Sequence, residues 1–227
     1  LKKKNVSSEM IELFQLGYAP SNKDWLYSFL SGKGYSPTFL NQSGLFSQKS
    51  DKWPLFRGRL MFPIRDRQGR TIAFSGRDLT GDERAPKYIN SPETTIYQKK
   101  ENYFGLYEAK NTIAEGKIGP ILCEGNFDVV AMHQAGYTSA IASLGTSFTN
   151  EQCANIKKWY PNNQVFNILF DSDAAGQKST ERALLIINRN GFEQRVHKLT
   201  TAKDASELLE RDGEEGPRQQ PGGAEGS

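Results

Sequence analysis

Four acidic residues follow two short apolar segments of the chain, and their spacing suggests metal chemistry. Glu124 stands directly after the first segment, and Asp128 lies four residues further on, on the same face of a helix that begins at Gly125. Asp171 and Asp173 stand directly after the second segment. Each pair alone has an ordinary explanation, as a solvated helix face or a helix N-cap. Because both pairs follow strand-like segments, together they favour a carboxylate site for a divalent cation.

The second half of the chain, after residue 116, alternates between strand and helix patterns. Strands are predicted over 120–123, 139–142, 165–170 and 194–199, and helices over 126–135, 149–159 and 174–190. Thr149 and Gln152 form a capping box for the middle helix. This alternation predicts a parallel, doubly wound sheet. Asp204 follows the last strand, so all five acids would meet at the carboxyl edge of the sheet, where ligands bind.

The first half of the chain has a mixed helix and strand pattern whose topology the sequence does not predict. Helices are expected over 8–14, 22–31, 36–40 and 106–112, and strands over 60–64 and 71–74, joined by a hairpin turn at 66–69. Residues 52–77 hold seven Lys or Arg and one acid, a net charge of +6 in 26 residues. Such a stretch is suited to phosphate groups, although the ordinary fate of any one Arg, such as Arg65, Arg67 or Arg70, is a solvated surface position.

Composition excludes several classes of protein. The chain has two cysteines, Cys123 and Cys153, and two histidines, too few for a disulfide scaffold or a Cys/His zinc site. We expect both thiols to be buried. Apolar runs are too short for a membrane span, and there is no signal peptide, which indicates a cytosolic protein. The chain starts at Leu1, and we interpret it as a fragment of a larger protein. Asp204 and Glu207 resemble a cap for a last short helix, and the acidic, Gly-rich end of the chain predicts disorder.

Several motifs resemble known families. The segments EGNFD (124–128), SLGT (143–146) and DSD (171–173) are similar to the TOPRIM domain shared by primases, topoisomerases and some nucleases. The segments FRGRLMFPIRD (56–66), SGR (75–77) and KYINSPET (87–94) resemble the RNA-polymerase core of bacterial replicative primases of the DnaG type. The resemblance covers about residues 1–209 in the same order. It implies an α/β fold in which a mixed α+β subdomain (1–116) precedes a Rossmann-like TOPRIM subdomain (117–203) with a parallel sheet, followed by a helix and tail (204–227).

The resemblance also implies an activity and its partners. Primases of this type make short RNA primers on single-stranded DNA from nucleoside triphosphates, with two or more Mg²⁺ or Mn²⁺ ions. The family carries a zinc-binding module before this core and a domain that binds the replicative helicase after it, and neither lies in this sequence. We therefore expect no zinc and no membrane contact, a location in the bacterial cytoplasm at the replisome, and a monomeric fragment.

The family motifs assign roles to individual residues. Glu124 would orient a metal ion or assist deprotonation, Asp171 and Asp173 would ligate metal, and Asp128 and Asp204 would support them. A second set would contact template or nucleotide: Arg57, Arg59, Arg77, Lys87, Tyr88, Asn90 and Lys99.

The sequence departs from the family pattern at three places. Asn126 stands where an aromatic residue is usual, and Ser172 replaces a glycine between the two aspartates. Asp204 lacks the second acid two residues further on, unless Glu207 substitutes for it. Two alternatives stay open: another TOPRIM enzyme, either a nuclease or a topoisomerase, and a non-catalytic module that binds single-stranded DNA. The segment 56–94 favours the primase.

Overall fold

The structure is a computed structural model that describes residues 5–145, 147–171 and 173–197. The helices in these ranges are α1 (Ser8–Leu13), α2 (Trp25–Gly32), α3 (Pro37–Gln42), α4 (Leu106–Ala114), α5 (Asn126–Gln134), α6 (Asn150–Trp159) and α7 (Ala174–Arg189). The strands are β1 (Gly17–Ala19), β2 (Phe46–Ser47), β3 (Ser50–Pro54), β4 (Arg59–Arg65), β5 (Thr71–Asp78), β6 (Tyr88–Asn90), β7 (Ile121–Cys123), β8 (Ala140–Ala142), β9 (Val165–Leu169) and β10 (Glu193–Val196).

The second half of the chain folds around a parallel sheet with the strand order β10–β9–β7–β8, which confirms the predicted fold class. Successive side chains of these short strands point to opposite faces. Leu122 and Ile141 pack on one face with α4, α6 and α7. Cys123 and Ala142 pack on the other face, in the cluster that contains α5. Helices therefore cover both faces, so the strands are buried and apolar.

The first half of the chain forms an antiparallel sheet with the order β1–β4–β5–β6. Its β4–β5 hairpin turns at the predicted place, where the Asp66 amide bonds to the Arg70 carbonyl at 2.9 Å. The sheet packs against α5 through Phe62 and Phe127, whose rings meet edge to face with centroids 5.1 Å apart. One apolar cluster is thus shared by both sheets. The division predicted at residue 116 falls in the connection between α4 and β7, and the separate status of the two parts stays a prediction.

Local signals in the sequence determine where several elements begin and end. Thr149 and Gln152 form the predicted capping box, in which each side chain accepts a 3.0 Å bond from the other residue's backbone amide. Gly136 and Gly191 follow α5 and α7 with positive φ angles, as predicted for glycines after helix ends. The last strand begins at Glu193 and ends at Val196. The predicted Asp204–Glu207 cap and the acidic tail lie outside the described residues.

The two cysteines are buried, as predicted from composition. Cys123 and Cys153 are 1% and 0% exposed. Burial raises the pKa of the Cys153 thiol to about 12, so this thiol stays protonated at neutral pH. Within the ranges that the structure describes, no helix combines the length and apolar character needed to span a bilayer.

Candidate active site

The carboxyl ends of β7 and β9 bring two of the predicted acids together. Glu124 follows β7 and Asp171 lies two residues past the end of β9, and the two strands pair in parallel. The backbone amide of Asp171 donates a 3.1 Å hydrogen bond to Oε2 of Glu124. Acids 47 residues apart in sequence are therefore held at one edge of the sheet, as the doubly wound pattern predicted.

A glycine allows α7 to begin directly against the end of β9. Gly176 is buried in the first turn of α7, and a Cβ atom added there would lie 2.0 Å from the carbonyl oxygen of Asp171. No side chain fits at that distance, so the backbone itself makes this close approach. Gly176 therefore helps to position Asp171, and the sequence pattern did not single it out.

Asp128 and Asp173 each stabilise the start of a helix. Oδ2 of Asp128 accepts a 3.0 Å hydrogen bond from the Gly125 amide at the start of α5. Oδ1 of Asp173 accepts from the amides of Ala175 and Gly176 at 3.1 and 2.9 Å, so Asp173 is the N-cap of α7. Asp173 is thus confirmed as a helix N-cap. Its role as a metal ligand stays a prediction, and so does the role of Asp128 in catalysis.

An open cleft of about 380 Å³ lies between this edge and the antiparallel sheet. We call it the active-site cleft. Seven of the residues predicted from the sequence line it: Arg77, Lys87, Tyr88, Asn90, Glu124, Asp128 and Asp171. Its cationic and aromatic wall comes from β5, Lys87 and β6. Its acidic wall comes from the carboxyl edge of the parallel sheet and the first turn of α5. An anionic substrate such as a nucleotide therefore meets cations on one side and carboxylates on the other.

Arg77 lies at the junction of the two walls. It pairs with Tyr88 across β5 and β6, and its guanidinium carbon lies 4.9 Å from the ring centroid of Phe127 at the start of α5. The ring face orients the guanidinium without neutralising it. Lys87 is exposed at the rim of the cleft. Both cations remain suited to phosphate groups.

Three residues of the predicted binding set lie elsewhere. Arg57 is exposed, and its guanidinium carbon is 5.7 Å from the ring centroid of Trp53. Lys99 does not line the cleft, and its backbone carbonyl accepts a bond from Gln152. Arg59 was expected to contact template or nucleotide, but its side chain is buried, with the residue only 6% exposed.

Arg59 is occupied inside the antiparallel sheet. Its Nη1 donates to the carbonyl oxygens of Gly76 and Pro86 at 3.1 and 2.9 Å, and its Nη2 is 4.0 Å from Asp78. Burial lowers the pKa of Arg59, and the nearby Asp78 carboxylate opposes that shift. The guanidinium therefore stabilises the end of β5 through these contacts and is not available to a ligand in the cleft.

The donor set at the edge fits a hard divalent cation. Glu124 and Asp171 supply carboxylates that face an open polar cleft, and Mg²⁺ is held by one or two carboxylates together with water and substrate phosphates. No group of three acids, histidines or cysteines close enough to enclose an ion is found among the described residues. Asp204, the remaining predicted ligand, lies outside them.

The structure adds residues to the cleft that the predicted set omitted. Ser75, Asn126, Ser143 and Gly145 all line it. Ser143 and Gly145 follow β8, so the rule that ligands meet the carboxyl ends of strands would have found them. Asn126, which departs from the family pattern, is buried in the first turn of α5.

Similarity to known proteins extends over both halves of the chain. Residues 1–110 match the family described as the DNA primase catalytic core, N-terminal domain, and residues 121–209 match a Toprim-like family. The RNA polymerase domain of Mycobacterium tuberculosis primase DnaG superposes with a TM-score of 0.87 at 31% identity, over 96% of this chain and 72% of that one. This chain belongs to the DnaG-type primase family.

Other members show the same likeness. A DnaG primase catalytic domain bound to single-stranded DNA superposes with a TM-score of 0.82 at 34% identity, over 96% of this chain and 68% of that one. The DNA primase of Treponema pallidum is 38% identical over 96% of this chain and 35% of its own length. The chain thus spans about a third of the curated primases that it matches. The active-site cleft of this primase core lies where the two matched segments meet.

Proposed function

We propose that this chain is the catalytic core of an enzyme that makes short RNA primers on single-stranded DNA from nucleoside triphosphates. The observation that carries the proposal is the cleft itself, in which Glu124 and Asp171 face Arg77 and Lys87. Nucleotide transfer needs a place for a triphosphate and for the growing strand beside carboxylates. Because the chain belongs to the DnaG-type primase family, primer synthesis is favoured over cleavage by a nuclease or a topoisomerase.

The chemistry is an in-line displacement at phosphorus. The 3′ oxygen of one nucleotide forms a bond to the α-phosphorus of the next. The bond to the bridging oxygen breaks, and pyrophosphate leaves with the electron pair. The hydroxyl proton passes to Glu124 or to water in the cleft. Bound Mg²⁺ or Mn²⁺ would supply Lewis-acid stabilisation of the attacking and leaving oxygens.

The residues of the chain bind and orient the reactants in this proposal. Glu124 and Asp171 would hold the ions, with Asp173, Asp128 and Asp204 as supporting acids. Arg77 and Lys87 would bind phosphate groups, with Tyr88 and Asn90 beside them. Guanidinium and ammonium groups are the usual partners of phosphates, and their charge-assisted hydrogen bonds are stronger than those between neutral groups.

The template would follow an exposed aromatic and cationic surface on the antiparallel half. Trp53 is 39% exposed, with the Lys23 ammonium 5.2 Å and the Arg57 guanidinium carbon 5.7 Å from its ring. Bases stack on such rings while cations follow the backbone. This arrangement supports the predicted role of Arg57. A larger protein would bring the helicase to this core through a further domain, in the bacterial cytoplasm.

A single assay tests the proposal against its alternatives. The chain is incubated with a single-stranded template, labelled ribonucleotides and Mg²⁺ or Mn²⁺. We expect RNA products that require template and metal. Cleaved template would instead identify a nuclease, and binding without product would identify a non-catalytic module.

A further inference from the structure

A second cleft, of about 290 Å³, adjoins the active-site cleft at Glu124, Ser143 and Gly145. The active-site cleft lies towards α5 and the antiparallel sheet, whereas the second cleft is lined by Ser179 and Arg182 of α7. Helices α5 and α7 pack on opposite faces of the parallel sheet. The two clefts therefore lie on opposite sides of Glu124.

The second cleft is lined by four serine or arginine side chains that can donate hydrogen bonds, and two of them already do so within the protein. Hydroxyls of Ser179 and Ser143 donate to the Ala175 carbonyl at 3.0 Å and to Gln152 at 3.3 Å. Arg182 and Ser147, by contrast, make no hydrogen bond or ion pair within the described part of the chain. An Arg presents five N–H donors in a fork that fits phosphate oxygens.

We propose that Arg182, with Ser147, forms a subsite for the pyrophosphate that leaves during nucleotide transfer. The inference rests on the proposed function. In-line displacement sends the leaving group away from the attacking 3′ oxygen, on the opposite side of the phosphorus. With the growing strand in the active-site cleft and the reacting phosphorus near Glu124, the leaving pyrophosphate enters the second cleft.

Gly145, which has no side chain, lies between the two clefts at the point where the phosphates would extend from one to the other. Gly145 borders both clefts and is exposed, so only backbone separates them there. The bridging oxygen and the two terminal phosphates of the bound triphosphate would extend past Gly145 towards Arg182, so pyrophosphate would form in the second cleft. No proton is needed from Arg182, because it binds pyrophosphate as a fixed charge.

The test compares Arg182→Gln with Arg189→Gln. Arg189 lies seven residues further along α7, on the same face and about 10.5 Å from Arg182 along the axis, so both variants remove one charge from one exposed face. The probe is pyrophosphate with Mg²⁺, titrated calorimetrically into the chain without DNA. We expect Arg182→Gln to raise the dissociation constant about tenfold and Arg189→Gln to leave it unchanged. Arg182→Lys should fall between them, because it keeps the charge and loses the fork.

A second readout uses the primer-synthesis assay. Added pyrophosphate should inhibit Arg182→Gln less than wild type, by a factor similar to the loss of binding. Equal pyrophosphate affinity in Arg182→Gln and Arg189→Gln, in a chain that makes primers, would overturn the subsite alone. Loss of affinity in Arg182→Gln, in a chain that makes no RNA, would overturn the proposed function and leave a polyphosphate site.

Discussion

The side-chain amide of Asn90 lies directly over the backbone of Gly145, so that a Cβ atom on Gly145 would be 2.2 Å from Nδ2 of Asn90. This contact joins β6 of the antiparallel sheet to the loop after β8 of the parallel sheet. It sets the position of Asn90 in the active-site cleft relative to Glu124. The two walls of the cleft can thus approach each other closely at Gly145 because this residue has no side chain.

Gly145→Ala should therefore strongly reduce the rate of primer synthesis while lowering the free energy of unfolding only slightly. Gly145 has a φ of 65°, so alanine adds left-handed strain of about 1–2 kcal/mol and also displaces Asn90. We expect synthesis to fall by about a hundredfold, the effect of a misplaced wall near reacting atoms. Gly136→Ala is the matched control, because Gly136 has a φ of 94° and nothing within 4 Å of an added Cβ. Equal activity in the two variants, measured beside their denaturant unfolding curves, would contradict the positioning role.

Glu124→Gln keeps the size of the side chain and removes its charge. Its amide oxygen can still accept the bond from the Asp171 amide, so the fold should be preserved. We expect primer synthesis to be lost and template affinity, measured by fluorescence anisotropy, to be largely kept. Glu151→Gln changes an exposed acid in the first turn of α6 and should behave as wild type. Undiminished synthesis by Glu124→Gln would remove Glu124 from the mechanism.

Arg77→Ala and Arg59→Ala should separate ligand binding from stability. Arg77 lines the cleft, so its loss should weaken binding of single-stranded DNA or nucleotide, and lower the salt slope of DNA binding by about one if a phosphate contact is lost. Arg59 is buried on two backbone carbonyls, so its loss should lower the free energy of unfolding by about 2 kcal/mol or more. Anisotropy at several salt concentrations and urea unfolding distinguish the two effects. The assignment of Arg59 fails if Arg59→Ala unfolds like wild type.

His133 should make the core sensitive to acid. Its Nε2 is 2.9 Å from the Ala140 carbonyl, and burial lowers the pKa of His133 to about 4, with that backbone bond opposing the shift. The unfolded chain therefore binds a proton below about pH 6.5 that the folded chain binds only near pH 4, and stability falls as pH decreases through this window.

The expected loss is about 2 kcal/mol between pH 7 and pH 5. His133→Gln keeps a donor for the Ala140 carbonyl and cannot titrate, so its stability should be lower at pH 7 but change less with pH. Urea unfolding at pH 7, 6 and 5 measures both slopes. If the free energy of unfolding changes with pH equally in wild type and variant, His133 is not responsible for the loss of stability in acid.

Sequence patterns predicted the parallel half of the fold better than the antiparallel half. Apolar strands, glycines after helices and the Thr149 capping box are local signals, and each appears where predicted. The four-stranded order β1–β4–β5–β6 depends on pairing between distant segments, which no local pattern encodes. Pairing across β4 and β5 was the exception, because a hairpin turn joins neighbouring strands.

The site shows the same division. Glu124 and Asp171 could be placed together because the ends of parallel strands meet at one edge of the sheet, but charge alone could not distinguish an Arg that lines the cleft from a buried one. Arg65, expected at the surface, instead pairs with Glu108 in the interior through Nε at 3.0 Å. Arg59 is buried in the same way, whereas Arg77 faces the cleft. Burial of a charge requires partners from other elements, and those partners are set by the tertiary fold.

Divalent metal should raise the melting temperature of the chain through Glu124 and Asp171. Binding to the folded state adds about 2.7 kcal/mol when the free ion is a hundredfold above its dissociation constant. Asp171→Asn with Asp173→Asn should remove most of this shift. Asparagine caps helices about as well as aspartate, so α7 should still begin at residue 174. Without metal, the double variant should melt higher than wild type, because fewer like charges meet at the edge.

The control for this metal effect is Asp24→Asn with Asp51→Asn, which removes two exposed acids that do not line the active-site cleft. It should keep the full metal-induced shift in calorimetry. If the Asp171 and Asp173 double variant also keeps the full shift, the ion binds elsewhere and these aspartates are not its ligands. A shift lost in that variant alone, together with retained affinity for template DNA, would assign the ions to the edge formed by β7 and β9.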